Sequence, residues 1–415
     1  MTPTQLSIAF FLQVAVILVT CRLVGTAAQR WFGQPRVVGE MIAGVLLGPS
    51  LFGALAPEVQ GFLFPKDSKP ILFVIAQFGV GLYMFLVGLG FDRDEFFKGA
   101  KGAAAVSLAG MAAPFAVAVA IAPWLLGHGG LFTPKVTQFE ATQFMGAAIA
   151  ITAFPMLARI IHERGLSGTS LGTLSLSAGA IDDAGAWVLI ALVLASFGDG
   201  PQVAVLAIGG GFLFALFMVL LAPRLLKVLD RRIASTGMDE SLLGVVLILY
   251  LLSAWAMDAV GIHAVFGGFL LGTAMPRGQL TAAIRDRLEP VTVVLLLPFF
   301  FTYSGLHTEL NLLADPALLA VAGLILVLSI AAKGGACYLA ARLSGQDHAT
   351  ASGIGALMNA RGLMELIVIN IGLQRGIITP ALFSMLVVMA IVTTLMASPL
   401  FELLYGRRAR AEGRL

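Results

Sequence analysis

Charged residues are scarce in this chain. They make up 12% of its 415 residues and apolar residues make up 59%, whereas a soluble domain carries roughly 25% charged residues. This bias excludes an ordinary water-soluble protein and indicates a polytopic helical membrane protein. Only two cysteines are present, Cys21 and Cys337, far apart in apolar runs. Their number excludes a disulfide framework, and we expect two buried thiols.

Signatures of catalysis are also missing. The sequence has no Gly-rich phosphate loop, metal-ligand cluster or nucleophile elbow. A diaspartyl intramembrane protease needs its aspartates on different helices, and here Asp182 and Asp183 are neighbours. We therefore expect no enzymatic activity, no cofactor and no nucleic-acid partner. The expected partners are a lipid bilayer and small ions.

Thirteen apolar runs are long enough to be candidate spans. They lie at about 7–28, 37–55, 71–91, 102–126, 142–162, 169–197, 201–223, 239–257, 259–275, 288–306, 316–342, 349–374 and 379–405. With the N terminus outside, 20 of the 26 Lys and Arg residues fall on the cytoplasmic side and 4 outside. This sorting follows the positive-inside rule. It predicts a multi-pass protein of the cell (inner) membrane, with the N terminus outside and the C terminus in the cytoplasm.

Two adjacent aspartates, Asp182 and Asp183, lie in the middle of the sixth run. A carboxylate at the bilayer centre costs about 3 kcal/mol even on lenient insertion scales. The pair therefore predicts a place that holds a proton or a monovalent metal cation, with Asp183 the favoured ligand. The structural alternative is a carboxylate paired permanently with a lysine or arginine. Because neighbours on a helix point about 100° apart, one aspartate can bind the ion while the other pairs with a base.

The fifth and twelfth runs are both interrupted. Pro155 removes a backbone donor in the fifth, and Asn359, Arg361 and Glu365 place polar groups at membrane depth in the twelfth. The two runs are seven apart, so they have opposite orientations. Broken segments at matching places in two halves are typical of inverted-repeat transporters. The half-helix dipoles would then face each other across the midplane.

Lys333 is the predicted basic partner of Asp182. It lies in the interior of the eleventh run, where a buried lysine can exchange protons. The alternative is that its side chain snorkels to the interface.

For the other intramembrane polar residues, structural roles are considered beside ion binding. Arg361 and Glu365 are four apart and can pair along one helix face, which would neutralise dipole ends at the break. Asn359 and Thr152 can offer oxygens to an ion or to freed backbone groups. Glu40 is expected to have a role at a helix start or at an interface. His263 is expected to be packed or exposed to water.

Several segments together carry a family resemblance. They are QPRVVGE at 34–40, FLVGLGF at 85–91, TAFPMLAR at 152–159, GIHAVFGG at 261–268 and MNARGLME at 358–365. The chain resembles the second branch of the monovalent cation/proton antiporter superfamily, which includes sodium/proton antiporters, potassium efflux systems and plant cation/proton exchangers. Asp182 and Asp183 fall where this family keeps its Asp-Asp or Asn-Asp pair. Lys333 falls where its electrogenic sodium/proton members keep a membrane lysine.

The resemblance implies an all-α, elevator-like homodimer with about 13 transmembrane helices, inverted repeats and two broken, crossing helices. Its core and dimerisation domains would follow these boundaries: dimerisation helices at 1–101, core helices at 102–198, a linker helix at 199–230, dimerisation helices at 231–310, and core helices with a short tail at 311–415. Sodium/proton members often have Glu directly after Arg-Gly. This chain departs from that pattern, with Leu363 directly after Arg-Gly and Glu365 two residues later.

The function expected from these features is exchange of sodium or potassium for protons. Protons and cation would compete for the aspartate pair, and the exchange is expected to be electrogenic. The alternatives are a potassium-selective electroneutral exchanger, a gated cation channel, and a receptor or scaffold whose buried charges are structural.

Overall fold

The structure is a computed structural model that describes residues 2–91, 100–166, 169–196, 200–261 and 264–411. His263 lies outside these ranges, and the side chains of Pro155 and Asp183 lie outside the described part of their helices. Within the described ranges, the regular segments are helical, apart from one isolated antiparallel bridge between Phe132 and Ile378. The prediction of an all-α protein is confirmed.

Long helices alternate with short ones along the chain. The helices as far as the two aspartates are α1 Pro3–Phe32, α2 Arg36–Leu47, α3 Phe52–Leu55, α4 Pro57–Leu63, α5 Lys69–Gly90, α6 Ala100–Gly127, α7 Gln138–Ala150, α8 Phe154–Glu163 and α9 Ser170–Ser196. The later helices are α10 Gly200–Leu220, α11 Ala222–Thr236, α12 Glu240–Ala259, α13 Ala264–Ala274, α14 Gln279–Val291, α15 Leu297–Gly305, α16 Pro316–Leu343, α17 His348–Leu357, α18 Leu363–Gln374 and α19 Pro380–Ala411. Short 3-10 segments cover Lys66–Ser68 and Leu310–Ala314, and a π-helical turn covers Thr292–Leu296.

Eight helical stretches in the described residues are long and apolar enough to cross a membrane. The number is nine if α10 and α11, which meet at a bend of 46°, count as one further span. The fifth and twelfth predicted runs are each split into two helices of 10 to 13 residues, too short to qualify alone. The count of thirteen spans, the inverted repeat and the orientation of the termini stay predictions.

Helix starts follow from local capping chemistry. At the start of α7, Thr137 Oγ1 accepts a hydrogen bond from the Glu140 backbone N–H, while Glu140 Oε2 accepts one from Thr137 N at 2.7 Å. This reciprocal capping box satisfies two free N–H groups. At the start of α16, Asp315 Oδ1 accepts from Ala317 N at 2.8 Å, and Pro316 occupies the first helical position.

One compact unit comprises residues 1–20, 58–93 and 194–303. Its helices α5 and α13 approach at glycines. A Cβ on Gly88 would lie 2.3 Å from Phe269 O, and one on Gly272 would lie 2.2 Å from Phe85 O. Small residues of this kind let helix backbones pack closely in membranes.

The second compact unit comprises residues 21–57, 94–193 and 304–415. Within it, a Cβ on Gly305 would lie 1.9 Å from Gly44 O, so the end of α15 and α2 meet through bare backbone. Glu40 is buried in the second turn of α2, one turn inside the helix start at which the sequence placed it. The predicted division into core and dimerisation domains stays a prediction.

Candidate ion-binding site at the two broken helices

Both predicted interruptions are present, and they touch. Between α7 and α8, residues 151–153 are not helical, and residues 358–362 separate α17 from α18. Ala153 N donates a hydrogen bond to Ala360 O at 3.1 Å. Thr152 Oγ1 lies 3.1 Å from Met358 O. The two unwound segments therefore meet through backbone groups that an unbroken helix would have used internally.

Asp182 lies beside this crossing and is 1% exposed. Its Oδ2 accepts hydrogen bonds from Lys333 Nζ at 2.5 Å and from Thr152 Oγ1 at 2.8 Å. Its Oδ1 accepts one from Ser107 Oγ at 2.5 Å. One carboxylate thus has donors from α6, from the first break and from α16.

Lys333 is fully buried, so its side chain does not snorkel to an interface. Besides Asp182, its Nζ donates to Ala150 O at 2.5 Å. Ala150 is the last residue of α7, so the ammonium also satisfies a carbonyl that has no helical partner. Removing one member of a buried ion pair leaves an uncompensated charge, which is strongly destabilising.

Close approach of α6 makes room for this lysine. A Cβ on Gly110 would lie 2.6 Å from Cys337 Sγ and 3.4 Å from Lys333 Nζ. Gly110 and Ser107 are three residues apart, which places them on one face of α6. That face therefore presents a hydroxyl to Asp182 and bare backbone to the lysine.

Arg361, in the second break, reaches the end of α7. Its guanidinium donates to Ala148 O at 3.0 Å, to Ile149 O at 2.7 Å and to Ser329 Oγ at 3.1 Å. With Lys333 on Ala150 O, two buried cations satisfy three successive carbonyls. Cations at a helix C-terminus are favourable because the free carbonyls carry partial negative charge.

Glu365 and Asn359 complete the second break. Glu365 lies in the first turn of α18, fully buried, with Oε1 3.3 Å from Arg361 Nη1. A negative group there complements the positive end of the helix. Asn359 Nδ2 donates to Gly355 O at 2.9 Å. Its Oδ1 has no hydrogen-bond partner among the described residues.

Sequence reasoning missed several groups of this site. Ser107, Gly110, Ser329 and the carbonyls at the end of α7 were not identified. Ser107 and Gly110 are three residues apart in an otherwise apolar run. This spacing is a weak indication of a helix face that contacts polar groups. Backbone carbonyls carry no side-chain signal at all.

The geometry indicates what the site can do. Asp182, Lys333, Arg361 and Glu365 carry two negative and two positive formal charges, and Asp183 follows directly in α9. In the described residues, no group of three or more His, Cys, Asp or Glu forms a metal cage. The arrangement is a carboxylate with hydroxyl and backbone oxygens nearby, and oxygen ligands of this kind are the type that hard cations prefer.

Comparisons with known proteins identify the family of the chain. The family model described as sodium/hydrogen exchanger, transmembrane, matches residues 15–404. The chain is 38% identical to the Na(+)/H(+) antiporter NhaS4 of Synechocystis sp., covering 94% of this chain and 96% of that protein. It is 32% identical to the K(+)/H(+) antiporter 1 of Saccharomyces cerevisiae, over 95% of this chain. It covers only 46% of that longer protein.

A solved structure has the same fold. The sodium proton antiporter MjNhaP1 from Methanocaldococcus jannaschii matches with a TM-score of 0.69 and 16% identity, over 96% of both chains. At that identity the match speaks for the fold. The family match over nearly the whole chain decides membership: this protein belongs to the transmembrane sodium/hydrogen exchanger family.

Proposed function

We propose that the protein is a secondary active antiporter that exchanges a monovalent cation, sodium or potassium, for protons at Asp182 and Asp183. The observation that carries this proposal is the contact between a fully buried lysine and a carboxylate at the crossing of two broken helices. Both groups can bind and release protons, and the carboxylate can also bind a cation. The relatives named for Na(+)/H(+) and K(+)/H(+) exchange support the same reaction.

Coupling follows from mutual exclusion. In this scheme a cation that binds Asp182 displaces Lys333 Nζ, which occupies Oδ2. In the proton-loaded form, Asp182 pairs with charged Lys333 and Asp183 holds a proton, so these three groups are neutral together. In the cation-loaded form, both aspartates face the cation.

The fate of the displaced lysine decides the stoichiometry. If Lys333 loses its proton, two protons leave for each cation bound and the cycle moves charge. If Lys333 keeps its proton, one proton leaves and the cycle is electroneutral. We propose the first, because a displaced ammonium at membrane depth is costly without its partner.

Movement of the loaded site is part of the proposal. Binding of protons or of a cation reduces the net charge of the carboxylates, which lowers the cost of crossing a low-dielectric barrier that bare carboxylates resist. The family resemblance supports an elevator-like movement of a core domain within a homodimer of the inner membrane.

Transport by purified protein in sealed proteoliposomes tests the function. With a pH-sensitive dye inside, addition of sodium or potassium should change the internal pH, and choline should not. Asp183→Asn should abolish this response while the protein still folds, because an amide cannot release a proton. The matched control is Asp258→Asn, at an exposed aspartate near the end of α12. Cation current without a pH change would indicate a channel. Normal exchange by folded Asp183→Asn would remove Asp183 from the mechanism.

The pH dependence tests the competition itself. As pH falls, protons occupy the carboxylates, so the cation concentration for half-maximal exchange should rise. A half-maximal concentration that stays constant from acid to alkaline pH would contradict a shared site.

A further inference from the structure

Helix α11 lies where a membrane span ends. The preceding helix α10 is apolar and exposes side chains such as Phe212 and Leu213, as a lipid-facing span does. The chain then bends by 46° into α11, which carries several charged residues. The bend therefore places α11 at the border between the apolar span and water.

One face of α11 is fixed by packing. Ala222, Leu226, Leu229 and Ile233 are buried in the hydrophobic core of the first unit. Their spacing of three to four residues defines a single helical stripe. The opposite half of the helix is exposed, and its composition is unusual for a solvated surface.

Two stripes share this exposed half. Leu225 and Val228 are each 63% exposed, and Leu221, directly before the helix, is 51% exposed. At 100° per residue, these three lie next to the packed face. Basic side chains occupy the outer face, namely Arg224, Lys227 and Arg231. An exposed apolar stripe beside a basic stripe is the pattern of a helix that lies in a membrane interface.

The basic stripe has little internal compensation. Lys227 and Arg231 are four apart, a spacing at which like charges repel. In the part of the chain that the structure describes, no ion pair joins Arg224, Lys227 or Arg231 to an acidic group. Asp239 instead lies 3.5 Å from Arg232. An external anion would relieve the repulsion.

We propose that α11 binds an anionic phospholipid, with its headgroup phosphate between Arg224, Lys227 and Arg231 and its acyl chains on Leu225 and Val228. Opposite charge selects the phosphate, and the adjacent apolar stripe selects a lipid over a soluble phosphate. The positive-inside rule accounts for the sign of these residues. It does not account for leucine and valine exposed beside them.

Lipid titration of the purified, detergent-solubilised protein tests the proposal. Bound phosphatidylglycerol would be counted by native mass spectrometry, with phosphatidylcholine as the neutral lipid and glycerol phosphate as the soluble headgroup. Phosphatidylglycerol should bind more tightly than phosphatidylcholine, and glycerol phosphate should not compete. Each cation near an anionic surface strengthens binding about five-fold, so Lys227→Gln with Arg231→Gln should weaken phosphatidylglycerol binding roughly twenty-five-fold.

Matched variants separate the lipid site from general charge and from folding. Lys66→Gln with Lys135→Gln removes two exposed lysines elsewhere and should leave binding unchanged. Lys227→Arg with Arg231→Lys keeps both charges and should keep binding. Leu225→Ser with Val228→Ser should weaken binding of both lipids. The proposal is overturned if the double glutamine variant binds phosphatidylglycerol like wild type, or if glycerol phosphate displaces the lipid. If the double glutamine variant loses dimers but keeps its bound lipid, this face contacts a second copy of the chain, and the lipid proposal is also overturned.

Discussion

The two broken helices obtain their charges differently. The first break, residues 151–153, contributes the Thr152 hydroxyl and no charged side chain. The second break, residues 358–362, contains Arg361, and its counter-ion Glu365 follows in α18. The cations at the end of α7 come from the second break and from α16.

This difference indicates that the backbone at the first break depends on charged groups from the second. The carbonyls exposed where α7 stops are satisfied by groups more than 180 residues away. A change of charge in the second break should therefore disturb both breaks. A change of hydroxyl in the first break should act mainly on Asp182.

The largest expected effect is that of Arg361→Gln. It removes three side-chain hydrogen bonds from the crossing and leaves Glu365 buried without its cation. Removing one partner of a buried pair destabilises by about 3–5 kcal/mol. Thermal unfolding in detergent should show a large fall in melting temperature. Adding Glu365→Gln should recover part of it, since no charge is then unpaired.

Arg375→Gln is the control for that experiment, because Arg375 is an exposed arginine directly after α18. A melting temperature of Arg361→Gln equal to that of the control would show that the first break does not need the guanidinium.

Lys333→Gln also breaks a buried pair, but a smaller loss of stability is expected because Ser107 and Thr152 still donate to Asp182. A change of transport is expected as well. A hydrogen bond to a charged group contributes about 1.5–3 kcal/mol, and glutamine can replace only part of the contacts with Asp182 and Ala150. If Lys333 carries a transported proton, the variant should be inactive or electroneutral. Current on a solid-supported membrane, recorded beside dye-reported exchange, distinguishes these. Unchanged current, exchange and melting temperature would make Lys333 a bystander.

Ser107→Ala should weaken cation exchange with little effect on stability. It removes the donor to Asp182 Oδ1, so the carboxylate loses a contact that fixes its orientation in the site. The loss of about 1.4 kcal/mol corresponds to roughly ten-fold in the half-maximal cation concentration. Ser329→Ala, which removes a contact of Arg361 instead, should leave the half-maximal concentration unchanged. Equal half-maximal concentrations for both variants would contradict the assignment of Ser107.

The smallest effects compare one threonine in each region. Thr152→Val removes a hydroxyl from Asp182, and Thr394→Val removes the acceptor of Arg361 N at 3.1 Å. Each hydrogen bond contributes about 1 kcal/mol. We expect the first variant to weaken cation affinity and the second to lower the melting temperature. If the two variants behave alike, the two breaks are not functionally distinct.

The sequence is enough to predict the helical fold and the positions of both breaks. A proline in one run, and an Asn, an Arg and a Glu in another, disfavour continuous apolar helices. Opposite charges at membrane depth need partners, so Lys333 could be matched with Asp182 and Arg361 with Glu365. The roles of these residues in ion binding remain proposals.

Other parts of the site could not be predicted, for physical reasons. Ser107 meets Asp182 through tertiary packing across 75 residues, and the intervening sequence has no period that sets that register. The link from Arg361 to the carbonyls of α7 joins a side chain to backbone, and every residue has a carbonyl. The number of spans is also hard to predict because of the two breaks. Each broken run is divided into two helices, and each of these is shorter than a spanning helix.

Cys337 gives the packing of α16 a practical consequence. Its thiol is fully buried, four residues beyond Lys333 on the same helix face, with Sγ 3.7 Å from Val106 O. Any opening that admits water along this face towards the lysine would also uncover the thiol. In a Cys21→Ser background, the labelling rate with a water-soluble maleimide would then report how often the site is open. The dependence of this labelling rate on sodium, potassium and pH would show how each ion changes the exposure of the site during the transport cycle.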